Sequence, residues 1–148
     1  MINPFNDEYF MKQALNEANI AFEANEIPIG VVIVAKQQII ARSHNRTEQL
    51  NDVTAHAEIQ AITAASEYLG SKYLKECTMY TTLEPCHMCA GALYWSQIDK
   101  IVFAARNERR KESNLSSTIY HPRTLVVNGL LAEESSKLLK SFFAKQRG

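Results

Sequence analysis

Thr82-Leu83-Glu84-Pro85-Cys86-His87-Met88-Cys89 passes from a strand pattern to a helical one at a proline. Residues 78–82 read as a β-strand, and Pro85 suits the first position of a helix, where its missing N–H costs nothing. A helix is therefore predicted over residues 86–96. Cys86 and Cys89 stand three apart, on one helical face, so both sulfurs can reach one ion. A helix N-terminus also lowers the thiol pKa and favours the thiolate that binds metal.

The second half of this chemistry lies upstream at His56-Ala57-Glu58. Thr54 is read as the N-cap of a helix that runs through Ile59, Ile62 and Tyr68 to Gly70. One imidazole nitrogen and two thiolates suit Zn²⁺, and three protein ligands leave a fourth tetrahedral position for water. Glu58 is then the candidate proton carrier. Two residues on an ideal helix are about 200° apart, so His56 and Glu58 diverge unless His56 sits in a flexible first turn.

Working outward, Asn6-Asp7 precedes apolar positions Met11, Ala14, Leu15, Ala18 and Phe22, whose spacing predicts an amphipathic first helix. Pro28 ends that region. Residues 29–35 and 38–42 read as two strands around a turn at Lys36-Gln37. A fourth strand is predicted over 100–104, a short fifth over 125–127, and a closing helix over 131–145. Residues 106–123 are polar and irregular. This order predicts an α/β layered domain, a central sheet with helices on both faces.

The 148 residues, 46% hydrophobic and 22% charged, predict one globular domain over 1–148 and exclude disordered or collagen-like classes. The longest apolar run, 29–35, is too short for a bilayer, which needs about 20 residues, so no membrane partner is expected. The N-terminus lacks a basic flank followed by an apolar stretch, and three cysteines are odd for a disulfide framework. A cytoplasmic location is expected. Sixteen basic residues balance sixteen acidic ones, which argues against indiscriminate nucleic-acid binding. The balance is uneven along the chain. Residues 1–30 carry one basic and five acidic residues, residues 100–123 six basic and two acidic, and residues 137–148 four basic and none acidic.

His-x-Glu followed by Pro-Cys-x-x-Cys resembles the signature of the zinc-dependent nucleobase deaminases. The likeness extends to Thr54-Ala55-His56-Ala57-Glu58, Thr82-Leu83-Glu84-Pro85-Cys86, Cys89-Ala90-Gly91-Ala92, Glu26-Ile27-Pro28-Ile29-Gly30 and Asp7-Glu8-Tyr9-Phe10-Met11. Gly129-Leu130-Leu131-Ala132-Glu133 and Ser141-Phe142-Phe143 are similar too. Together they resemble the bacterial tRNA-specific adenosine deaminases, a branch of the zinc-dependent cytidine/deoxycytidylate deaminase superfamily. Nearly the whole chain is covered, and 109–117 is the weak stretch.

The resemblance implies a three-layer α/β/α cytidine-deaminase-like fold with a central five-stranded mixed sheet. It implies Zn²⁺ as cofactor, with His56, Cys86 and Cys89 as its ligands and Glu58 as the catalytic acid/base. It implies that Asn45, eleven positions before His56, hydrogen-bonds the target base and that Ile27 walls the base pocket. The Ala57 backbone N–H holds the base, and Phe143 stacks near a bound tRNA anticodon loop. The implied reaction is hydrolysis of an amidine C–N bond, which converts the wobble adenosine to inosine and releases ammonia. The implied assembly is a homodimer. On this reading the basic segments contact phosphates.

Some residues depart from that pattern. Asn107 stands where the family often carries aspartate, and Glu108-Arg109-Arg110-Lys111-Glu112 replaces a more glycine-containing stretch. Tyr94-Trp95 and the run from Asn51 to Glu58 also resemble guanine deaminases, so hydrolysis of free guanine is the alternative activity. A non-catalytic zinc domain that binds RNA is the alternative class; it needs a fourth ligand, for which Cys77, His87 and His121 are the available types. Cys77 is expected in the core, and His44, His87 and His121 as solvated or hydrogen-bonded. A thioredoxin-like reading of Cys-x-x-Cys leaves His56 and Glu58 without roles. Glu84 is read as structural support, and Tyr94 and Trp95 as core in preference to a dimer interface.

Overall fold

The computed structural model describes residues 3–108 and 119–147. Along the chain run α1 (Asp7–Glu23), β1 (Gly30–Ala35), β2 (Gln38–His44), α2 (Ala57–Leu69), β3 (Cys77–Leu83), α3 (His87–Ser96), β4 (Lys100–Ala105), β5 (Leu125–Asn128) and α4 (Ala132–Arg147). The strands form one sheet in the order β2-β1-β3-β4-β5. Pairing is antiparallel from β2 through β1 to β3 and parallel from β3 through β4 to β5. The expected layered α/β fold with a five-stranded mixed sheet is therefore present.

Local chemistry explains the elements. Asn6 begins α1 by accepting the Tyr9 N–H at 2.9 Å, and acidic Asp7 and Glu8 fill its first turn. Lys36 and Gln37 join β1 to β2 with φ of 50° and 63°, the mirror-image turn of two-residue hairpins, without glycine or asparagine. Gly70 ends α2 in the left-handed region at φ 65°.

The alternation of β1 divides the core. Val31 and Ile33 pack with Ala57, Ala61, Leu93 and Ile101 on one face, while Val32 and Val34 pack with Phe10, Met11, Ala14 and Tyr80 on the other. Helices α2 and α3 thus cover one face, and α1 covers the opposite one, where Leu130 and Leu131 join it just ahead of α4. Gly30 lets α1 approach: a Cβ there would lie 2.0 Å from the Ala14 carbonyl oxygen.

Four expectations need correction or fall outside view. The N-cap of α2 is His56, not Thr54, because the Thr54 N–H and hydroxyl both donate to Asp52 Oδ1 at 2.8 Å and order the loop instead. Cys86 caps α3, so Pro85 lies one residue before the cap rather than at the first helical position. Trp95 is 75% exposed and not core, whereas Tyr94 is partly buried. The basic cluster Arg109, Arg110 and Lys111 lies outside the described residues. No described helix is long and apolar enough to cross a membrane.

Candidate active site

The N-terminal ends of α2 and α3 meet on one face of the sheet, and both N-cap residues carry metal-binding side chains. His56 (φ −71°, ψ 152°) and Cys86 (φ −71°, ψ 175°) have extended backbones. That conformation removes the helical-wheel conflict: His56 precedes the helix, and Glu58 lies inside its first turn. His56 Nδ1 lies 3.5 Å from Cys86 Sγ and 3.5 Å from Cys89 Sγ, and the three donors fall within 4.8 Å of one another. Tetrahedral zinc at about 2.3 Å from sulfur and about 2.0 Å from nitrogen sets nitrogen and sulfur about 3.5 Å apart. The donor set fits Zn²⁺ in both chemistry and spacing.

Side-chain bonds to backbone carbonyls order the chain on both sides of His56, and Gln60 Nε2 also donates to the His56 carbonyl at 3.3 Å. Gln60, on α2, donates its amide to the carbonyls of His44 and Ala55 at 2.9 and 3.0 Å, and Arg46 donates to Gln60 Oε1 at 2.9 Å. Ser43 donates to the Ala57 carbonyl at 2.5 Å. Gln60 was not legible in the sequence, although its place one turn after His56 is the signal that could have found it.

The three donors and Glu58 share one electrostatic environment. The Cys89 thiol, and then the His56 ring, pull Cys86 down to about 3, against burial. Cys89 is pushed up by its bond to Cys86 and then by burial. The bond to Cys86 raises His56. Glu58, 4% exposed, is pushed up to about 7, chiefly by burial, and its carboxyl bonds the Cys89 thiol. The sequence-predicted acid/base therefore lies against the donor set, not on the far side of the helix.

His56 also lines a cavity of about 420 Å³ whose other walls include Ile27, Ile29, Leu83, Ala105 and Phe143. Ile27 and Phe143 are thus brought to one space beside the donors. Arg106 and Lys140 add cationic side chains to its lining, and Glu108 adds an acidic one. Glu84 accepts the Asn107 N–H at 3.0 Å, which ties the strand end of β4 to the β3–α3 turn and bears out its reading as support. Asn45 is 4% exposed and does not line the cavity; its N–H donates to the Ile29 carbonyl at 3.1 Å. Ala57 is the first residue of α2, where a backbone N–H has no acceptor within the helix.

The alternative fourth ligands lie elsewhere. Cys77 is buried in the core, His121 Nδ1 accepts the Arg123 N–H at 3.1 Å, and His87 is exposed. His44 Nδ1 lies 3.3 Å from Glu17 Oε1. Among the described residues none of them joins the donor set.

Two thiols and an imidazole at facing helix ends, with a carboxyl against them, define a zinc-dependent hydrolase of the nucleobase deaminase type. The chain belongs to the cytidine and deoxycytidylate deaminase zinc-binding family, whose profile matches residues 4–105. It is 42% identical over 153 residues to the tRNA-specific adenosine deaminase of Aquifex aeolicus, covering 95% of each chain. A solved structure from a study of A-to-I editing by tRNA:A34 deaminases at the wobble position superposes with a TM-score of 0.81. It shares 42% identity, covering 88% of this chain and 99% of that one. The guanine deaminase structure from Bacillus subtilis shares 41% identity with a TM-score of 0.67, covering 73% of this chain and 69% of its own.

Proposed function

We propose that this chain, as one domain over residues 1–148, hydrolyses the wobble adenosine of a tRNA anticodon to inosine. The observation that carries the reading is the convergence of His56, Cys86, Cys89 and Glu58 beside a cavity that Ile27 and Phe143 wall. Relatives that match over nearly their whole length are named for this activity, which favours it over hydrolysis of guanine. His56, Cys86 and Cys89 would hold Zn²⁺, which would supply Lewis-acid activation of a water near neutral pH.

The protein's own groups do the rest. Glu58 takes one proton from the attacking water and delivers it to N1 of adenine; it then takes the second proton, from the new C6 hydroxyl, and passes it to the amine, so that the C6–N bond breaks, the C6 carbonyl forms and ammonia leaves. Its burial and its contact with Cys89 keep it at the donor set through these steps. Asn45 and the Ala57 N–H bind the base, Ile27 packs on one side of it, and Phe143 stacks on a neighbouring nucleotide. The base must leave its stack to reach this depth. Arg106 and Lys140 contact phosphates, which position RNA without reading its sequence.

A tRNA substrate and three free cysteines fit a reducing cytoplasmic setting. We also read the protein as a homodimer, because the 75% exposed Trp95 and the neighbouring Met88 leave apolar area on α3 that a second copy would cover. Sedimentation analysis at micromolar concentration distinguishes that dimer from a monomer.

Guanine hydrolysis is the second reading, supported by the 41% identity to a guanine deaminase. The deciding assay offers zinc-loaded protein an arginine tRNA with an unmodified wobble adenosine, beside free guanine, with products read by mass. Inosine in the tRNA alone is expected. Xanthine with unchanged tRNA would overturn the proposal and keep the zinc site.

A further inference from the structure

Glu26 is 1% exposed and occupies the bend between α1 and β1, just before the cavity residue Ile27. A buried carboxyl needs hydrogen-bond partners, and three donors meet this one. Asn45 Nδ2 donates to Oε1 at 3.3 Å, the Glu48 N–H to Oε1 at 3.1 Å, and the Gln49 N–H to Oε2 at 2.7 Å. The two backbone donors hold the loop after β2. The third is the side chain read above as the base contact.

The chemistry of the contact sets the orientation of that side chain. A carboxylate only accepts, so it faces the NH₂ end of Asn45. The same nitrogen also bonds Thr47 Oγ1 at 3.4 Å. The Asn45 carbonyl is thereby turned away from Glu26. The Asn45 N–H meanwhile bonds the carbonyl of Ile29, a wall of the cavity. One carboxylate thus joins the pocket wall at residues 26–29 to the loop at residues 45–49. None of its bonds goes to His56, Cys86, Cys89 or Glu58.

We propose that Glu26 is a positioning residue for substrate binding, acting through Asn45: it fixes which end of the Asn45 amide meets the substrate and holds the loop that carries it. The inference rests on the reading of Asn45 as a base contact. Glu26→Gln puts an NH₂ group among three N–H donors, so one donor loses its acceptor and the Asn45 amide gains freedom to turn over.

A double-mutant cycle with Asn45→Ala tests the proposal, read as kcat and KM on the wobble-adenosine tRNA with zinc content measured for every variant. Glu26→Gln is expected to lower kcat/KM by about tenfold, mainly through KM and with zinc retained. In the Asn45→Ala background the same change is expected to matter by less than about twofold, since the group it acts through is gone. An equal loss in both backgrounds, or no loss in the native one, overturns the proposal. Glu26→Asp, which keeps the charge on a shorter arm, repeats the cycle should the glutamine variant fail to fold; additivity there also overturns it. Native protein that ignores tRNA but turns over guanine would refute the substrate reading alone, and the cycle run on guanine then decides the role of Glu26 by the same criterion.

Discussion

Helix α1 starts on Asn6, whose side chain accepts the Tyr9 N–H; α2 and α3 start on His56 and Cys86, whose side chains make no cap bond. All three residues have the extended backbone of an N-cap, but only the first performs the capping. A capping side chain contributes about 1 kcal/mol, and two helices on the α2–α3 face do without it. Their positive dipole ends meet at the donor set instead, which favours thiolate. Where a helix only packs, its start is built for stability. Where two starts meet, they are built for ligands.

The largest test of that contrast is metal removal. Chelation should abolish turnover and lower the thermal midpoint, and Zn²⁺ should restore both; at free zinc 100 times its dissociation constant the stabilisation is about 2.7 kcal/mol. Recovery of activity without any metal would break the comparison at its root. Next, Glu58→Gln should retain zinc and lower kcat by about 10²–10⁴-fold, the usual span for a lost general acid/base. Near-native turnover of that variant removes Glu58 from the reaction.

A sharper test exchanges one kind of start for the other. Cys86→Ser gives α3 a good capping side chain in place of a ligand. Zinc content should fall, while the metal-free variant becomes more stable than the metal-free native chain by about 1 kcal/mol. At this chain length that is a rise of roughly 2–4 °C in the midpoint. A metal-free variant that melts lower than its parent contradicts the idea that capping was given up for ligation. The smallest effect is expected at α1, where Asn6→Ala should lower stability by about 1 kcal/mol and leave kcat and zinc content unchanged.

These starts also mark what could be read from sequence. Asn6 and Gly70 were legible, because a cap and a left-handed residue act on their own helix. The donor residues were legible too, because His56, Cys86 and Cys89 belong to a short motif. Thr54 misled, since Asp52 competes for its N–H and hydroxyl, and a local turn won over the cap. The convergence of His56 and Glu58 was hidden in a single ψ of 152°, which separates a residue before the helix from one inside it. Glu26 and Gln60 were not read, because their bonds join stretches far apart in the chain. Trp95 was misplaced because hydrophobicity alone does not say which face of α3 meets the sheet.

The parallel pairing of β3 with β4 sets Leu83 opposite Ala105, so both strands deliver their following residues to the same edge of the sheet. From β3 come Pro85 and Cys86; from β4 come Arg106, Asn107 and Glu108. On the proposed reading, reaction and recognition are thus encoded in neighbouring but separable stretches of chain. A lineage can rewrite residues 106–108, or the face of α4 that bears Lys140 and Phe143, without moving a ligand atom. Such a layout lets descendants change what they edit while inheriting how they edit it.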